Sequence, residues 1–388
     1  MVSLLVRLFI KDRDNTSSPE VRQAYGVLCG AVGIGFNLIL FLGKFIAGFL
    51  SSSIAITADA FNNLSDAGSS IITLTGFKMA GQKPDPDHPF GHGRIEYLSG
   101  LLVSIIILIM AFELIKTSIE KIFHPEDLTF SPMILVILLA SIAVKCYMAF
   151  YNRRIGRRID SAAMKATATD SFSDTLATTA VLAATLVQHF TGLHIDGPCG
   201  VLVGLFICYA GISAARDTIN PLLGQAPEPE FVQRIQDIVM SSDGVIGIHD
   251  LIVHNYGPGR VLISLHAEVP ANGDILSMHD MIDLIEHDLR NQLHCSAVIH
   301  MDPVCVGDEE TSRLKALVSG YLKEMDERLT LHDFRIVQGP THTNIIFDIV
   351  VPYKFPLGDR ELVEKVTKRI QRDNPNYFAV IEVDKQYT

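Results

Sequence analysis

TADAFNNLSDAGSS fills residues 57–70 and KATATDSFSDTLAT fills residues 165–178, each with apolar sequence around it. In the first, Asp59, Asn62 and Asp66 are spaced i, i+3, i+7, which puts them on one face of a helix. In the second, Asp170 and Asp174 are spaced i, i+4, the same interval that separates Asn62 from Asp66. Two such helices facing each other bring together four oxygen-bearing side chains, Asn62, Asp66, Asp170 and Asp174. Asp59 lies a further turn away, where it either contacts an ion indirectly or guards its approach.

Working outward from these stretches, the chain holds six apolar segments near residues 26–50, 54–79, 95–119, 130–151, 166–188 and 197–220. A helix needs about 20 residues to cross the hydrocarbon core of a bilayer, and each segment is that long. The third (LSGLLVSIIILIMAFELI) and the fourth (SPMILVILLASIAVKCYMAF) are the clearest. The expected architecture is a multi-pass α-helical membrane protein with six transmembrane helices. Lys and Arg concentrate before the first segment, between the second and third, and between the fourth and fifth, so both termini are expected in the cytoplasm. The outer loops are then short, at 51–53, 123–129 and 189–196.

The charge separates two unlike halves. The 388 residues carry a formal net charge of −11 and are 48% hydrophobic. Up to Gln225 there are 17 basic and 17 acidic residues; beyond it there are 15 and 26. So apolar a chain is not disordered, and the balance offers no basic patch for nucleic acid. MVSLLVRLFI, at once followed by polar residues, does not read as a signal peptide. The six cysteines form no CxxC pair and read as reduced core residues.

Ionisable groups at bilayer depth are costly unless paired, hydrated or liganded, so the carboxylates are functional candidates. Three carboxylates and an amide carbonyl make a hard, all-oxygen set that suits Mg²⁺, Ca²⁺ or Mn²⁺, whereas zinc usually takes His or Cys. No enzyme chemistry and no organic cofactor is indicated.

After Pro227 the pattern changes to helix, strand, strand, helix, strand, and then repeats. IHDLIV pairs with LHDFRIV, LHAEVP with FDIVVP, and IHMD with IEVD. The expected domains are an N-terminal cytoplasmic segment (1–25), a transport domain (26–225), and two copies of an α+β module (226–304 and 311–388).

ADAFNNLSD, HPFGHGRIEYLS and TDSFSD, with GIHDLIV and VIHMDP downstream, resemble the cation diffusion facilitator family, and the resemblance covers nearly the whole chain. It implies six spans, a cytoplasmic ferredoxin-like domain (here apparently duplicated), and a homodimer. The implied function is export of divalent cations in exchange for protons by alternating access, at the cell membrane. Its central site maps onto Asn62, Asp66, Asp170 and Asp174, and a quartet without His looks like that of the bacterial manganese exporters. Zn²⁺, Fe²⁺ and Co²⁺ are alternative cargoes, since most sites bind them more tightly than Mn²⁺. Asp85, His88 and His92 resemble a second family site in the loop PDPDHPFGHGR. His249, His266, His279, His300 and Asp302 match a cytoplasmic metal site. In the second copy the matching positions are His332, Asp348, Glu382 and Asp384. Ions bound by carboxylates require them deprotonated, so metal and protons compete for Asp66, Asp170 and Asp174. An alternative of another class is a transport-inactive membrane sensor or scaffold.

Overall fold

The computed structural model describes residues 2–16, 18–50, 54–124, 132–304, 308–339 and 341–386. The loop expected at 51–53, most of that at 123–129, and the side chain of Asp59 lie outside the described residues. The chain divides into two compact units, one of residues 1–225 with 255–260, the other of residues 226–254 with 261–388.

The first unit is all helix: α1 (Val2–Phe9), α2 (Pro19–Leu50), α3 (Ile54–Ala80), α4 (Ile95–Phe123), α5 (Pro132–Arg158), α6 (Ala162–Thr191) and α7 (Asp196–Leu222). Local chemistry sets several ends. Ser161 caps α6 by accepting a hydrogen bond from the Met164 amide, and Gly192 closes that helix at φ 72°, a left-handed conformation cheap only for glycine. Pro19 and Pro132 begin α2 and α5, where a missing N–H costs nothing.

Among the described residues, α2, α4, α5 and α7 are long and apolar enough to cross a membrane, with mean hydropathy of 1.8 to 2.6. The other two long helices, α3 (27 residues) and α6 (30 residues), are more polar, because they carry the carboxylates, amides and hydroxyls described above. α3 packs on α2 and α4, and α6 packs on α4, α5 and α7. The polar residues turn inward: the Thr73 and Thr167 hydroxyls meet at 2.7 Å between α3 and α6, while Phe112, Val136 and Leu202 are exposed on the outside. Buried Arg22 pairs with buried Glu96 at 3.3 Å, tying α2 to the start of α4.

The second unit holds two αββαβ modules. The first is α8 (Pro229–Met240), β1 (Gly247–Asn255), β2 (Val261–Pro270), α9 (Ile275–Leu293) and β3 (Cys295–Val304). The second is α10 (Glu309–Met325), β4 (Thr330–Gln338), β5 (Thr343–Pro352), α11 (Asp359–Asp373) and β6 (Tyr377–Gln386). Each sheet has its strands in sequence order, with β2 parallel to β3 and β5 parallel to β6, as a crossover helix requires. Strand alternation sets the cores: Ile263, Leu265 and Ala267 of β2 and Ile345, Phe347, Ile349 and Val351 of β5 are buried with the helices. The residues between them, including His266 and Asp348, therefore lie on the opposite sheet faces. Among the described residues Cys29, Cys146, Cys199, Cys208 and Cys295 are free thiols.

Close packing of α4 on α6 depends on Gly100, where a Cβ would stand 2.9 Å from the Ala163 Cα and 2.7 Å from the Thr218 methyl. Because Ala163 presents backbone there, Gly100→Val should cost about 1–3 kcal/mol by overpacking. A lower melting temperature in detergent is expected; an unchanged one would show that the two helices are not held this close.

Candidate metal centre

The centre is built on α3 and α6. Asp66 and Asp170 are buried, at 6% and 5% exposure, and with Asn62 and Asp174 they line a cavity of about 340 Å³ inside the helical unit. The spacing argument thus brings the four side chains to one cavity.

Sequence reasoning missed what else lines it. Lys145, from the middle of α5, is 4% exposed, and its Nζ lies 2.7 Å from Asp66 Oδ2 and 2.7 Å from Asp174 Oδ2. Lys44, from α2, lines the same cavity. An unpaired ammonium or carboxylate at this depth would cost several kcal/mol, and the bridge removes that penalty for three groups at once. The signal was present in the sequence: Lys145 is the one charged residue in SPMILVILLASIAVKCYMAF. A cation at bilayer depth is a functional candidate on the same ground as the aspartates. The ammonium occupies a point between two carboxylates of the quartet, where a divalent ion bound to both would sit.

A second cluster is in the loop before α4. His88 Nδ1 and His92 Nε2 each lie 3.3 Å from an Asp85 oxygen, and the two rings are 4.6 Å apart. The residues form a turn-rich loop, as Pro89 and Gly91 require, with Gly91 at φ 80°. The His88 amide, donating to Asp85 Oδ1 at 2.6 Å, holds that carboxyl below its ordinary pKa, so Asp85 stays an anion.

A third cluster lies in the first αββαβ module. Asp302 gathers His266 Nδ1 at 2.8 Å, His249 Nε2 at 3.0 Å and His300 Nε2 at 3.3 Å. Burial, and after it the neighbouring His332, pushes the His249 pKa down, so this imidazole stays neutral and free to ligate. His279, expected with this group, instead faces solvent on α9 beside Asp283 at 3.4 Å. The reason is geometric: α9 buries Ile282, Ile285 and Leu289 against one face of the sheet, and the histidine cluster is on the other.

The cation efflux transmembrane domain model matches residues 31–223, and the model of the cation efflux protein cytoplasmic domain matches residues 227–304. An uncharacterized transporter of Methanocaldococcus jannaschii is 33% identical over 269 residues, covering 69% of this chain and 95% of the relative. The cation-efflux pump FieF of Escherichia coli is 28% identical over 297 residues, covering 76% of this chain and 99% of the relative.

If ion and ammonium share one seat, Lys145→Met should destabilise the ion-free protein, because a buried pair broken on one side costs about 3–5 kcal/mol. Saturating Mn²⁺ should then raise the melting temperature of the variant by more than that of the parent. An equal rise in both would place the ion elsewhere.

Proposed function

The chain belongs to the cation efflux family of membrane transporters, and from that premise we propose that it is a Mn²⁺/H⁺ antiporter that exports Mn²⁺ by alternating access. The observation that carries this reading is the donor set of the cavity: Asn62, Asp66, Asp170 and Asp174 offer oxygen alone, the chemistry that suits a hard divalent cation. Asp59 is proposed to act one turn away, without direct contact.

The proposed topology has six spans, with α3 and α6 counted among them although their inward faces are polar. The basic residues of the intervening loops support cytoplasmic termini in the cell membrane. The two αββαβ modules are read as duplicated ferredoxin-like domains, and the working form as a homodimer. Asp85, His88 and His92 are proposed as a loop site, and His249, His266, His300 and Asp302 as a cytoplasmic site.

Coupling follows from competition. The ion requires Asp66, Asp170 and Asp174 deprotonated, and three carboxylates crowded in one cavity take up protons when it leaves. Lys145 supplies one fixed positive charge through both halves of the cycle. Net exchange results if only the loaded forms reorient, the ion-bound form turning outward to release Mn²⁺ and the protonated form turning back to release protons to the cytoplasm.

A second cargo reading, Zn²⁺, Fe²⁺ or Co²⁺, is favoured by the imidazole-rich cluster on Asp302, which suits borderline ions.

Purified protein in vesicles should carry Mn²⁺ faster when an opposing proton gradient is imposed, and Asp66→Ala should reduce flux to that of empty vesicles. Flux indifferent to the gradient would end the antiport reading. Faster flux of Zn²⁺, Fe²⁺ or Co²⁺ at equal free concentration would reassign the cargo. Full flux in Asp66→Ala would remove the central site.

A further inference from the structure

The second αββαβ module has lost two of the histidines of the first, yet it keeps the geometry around them. His332 stands where His249 stands, Asp348 where His266 does, and Asp384 where Asp302 does. The residue after each leading histidine, Asp250 and Asp333, adopts the same left-handed φ of 51°. That conformation is uncommon outside glycine, and its recurrence marks one backbone irregularity kept in both copies. In β4 the register shifts at this point, between His332 and Arg335.

The two modules meet along β3 and β4 within the second unit. At the seam the His249 and His332 rings stack at 4.5 Å, inclined by only 23°. His332 Nε2 lies 3.1 Å from Asp384 Oδ2 of its own module and 3.9 Å from Asp250 Oδ1 of the other. Asp250 also approaches His266, at 4.0 Å. One carboxylate of the first module therefore faces a histidine from each module.

Two ring nitrogens at the seam have no hydrogen-bond partner although they are buried: Nδ1 of His249 and Nδ1 of His332. The His249 and His332 side chains are 7% and 11% exposed. Each of these nitrogens faces a carboxylate across a gap, Glu268 at 3.7 Å and Asp348 at 4.0 Å. No hydrogen bond spans such a distance. Two ligands of one ion, each about 2.1 Å from it, stand roughly 3.0–3.5 Å apart, so a small side-chain shift converts the gap between His332 and Asp348 into a coordination edge. A buried polar nitrogen left unpaired costs about 1–3 kcal/mol, and a ligated ion removes that cost.

We propose that the second module adds a divalent-cation position of its own at the seam, held by His332, Asp348 and Asp384. It stands beside the cytoplasmic site read above at His249, His266, His300 and Asp302, the first position. Asp250 stands between them. One imidazole and two carboxylates make the second position harder than the first, suited to Zn²⁺, Fe²⁺ or Mn²⁺. The second module thus supplies ligands of its own and closes the first module's cluster from within the same polypeptide. The proposal concerns resident ions and holds whichever cation crosses the membrane.

The test is Zn²⁺ titration of the full chain in detergent, in a background carrying Asp66→Ala and Asp170→Ala so that the transport cavity does not contribute. Adding His332→Asn with Asp384→Asn should lower the stoichiometry by one ion per chain, with circular dichroism and elution volume retained. Adding His249→Asn with Asp302→Asn instead should remove the other ion. Asp348→Asn alone, which keeps shape, should weaken one class of site at least tenfold. If the second-module variants bind as many ions as the background, with unchanged affinity, the second position does not exist. Full vesicle transport in the Asp66→Ala, Asp170→Ala background with these stoichiometries intact would instead count against the central-site reading alone.

Discussion

Charges placed in an apolar helix bundle must be compensated there, and the bridge from Lys145 to Asp66 and Asp174 meets that requirement. Three helices are fixed by it, since α5 donates the ammonium and α3 and α6 the carboxylates. The polar content of α3 and α6 is tolerable only because α2, α4, α5 and α7 surround them with apolar surface. The same arrangement makes a seat for a cation. Asp66 and Asp174 thereby share one tethered +1 charge instead of facing each other unscreened.

In the second unit the governing constraint is the two-residue period of a strand. Burying Ile263, Leu265 and Ala267 forces His266 to the other face, and burying Phe347 and Ile349 forces Asp348 likewise. Parallel pairing then sets His266 opposite His300 and Asp348 opposite Glu382. The ligand rows are consequences of register, so a module that keeps its hydrophobic alternation keeps the positions even when the residues at them change. That explains how the second copy exchanges imidazole for carboxylate with its backbone geometry intact.

Much of this was legible because it is local. The i, i+4 spacing of Asn62 with Asp66 and of Asp170 with Asp174 needs only helical geometry, and the repeat after Pro227 needs only alternation and punctuation. Lys145 was overlooked because one ammonium barely alters the hydropathy of a 27-residue helix whose other residues are mostly apolar. Its partners lie 79 and 29 residues away in sequence. His279 was grouped with the cytoplasmic histidines by its match to a family position; the packing of α9 sets it on the wrong face of the sheet. The stacking of His249 on His332 was equally out of reach, since it depends on how two separately folded modules meet.

The donor sets divide along a line that function requires. The cavity within the helices offers carboxylate and amide oxygen and no imidazole, whereas the clusters on the sheets combine imidazole with carboxylate. Nitrogen ligands raise affinity for borderline ions, whereas carboxylate and carbonyl oxygens suit hard ones. A transported ion must leave as surely as it binds, and an ammonium that competes for the same carboxylates favours its departure. A site that stabilises a fold gains from the opposite property. Under the proposed function, the imidazole clusters suit a resident ion and the all-oxygen quartet, with Lys145 competing for it, suits a passing one.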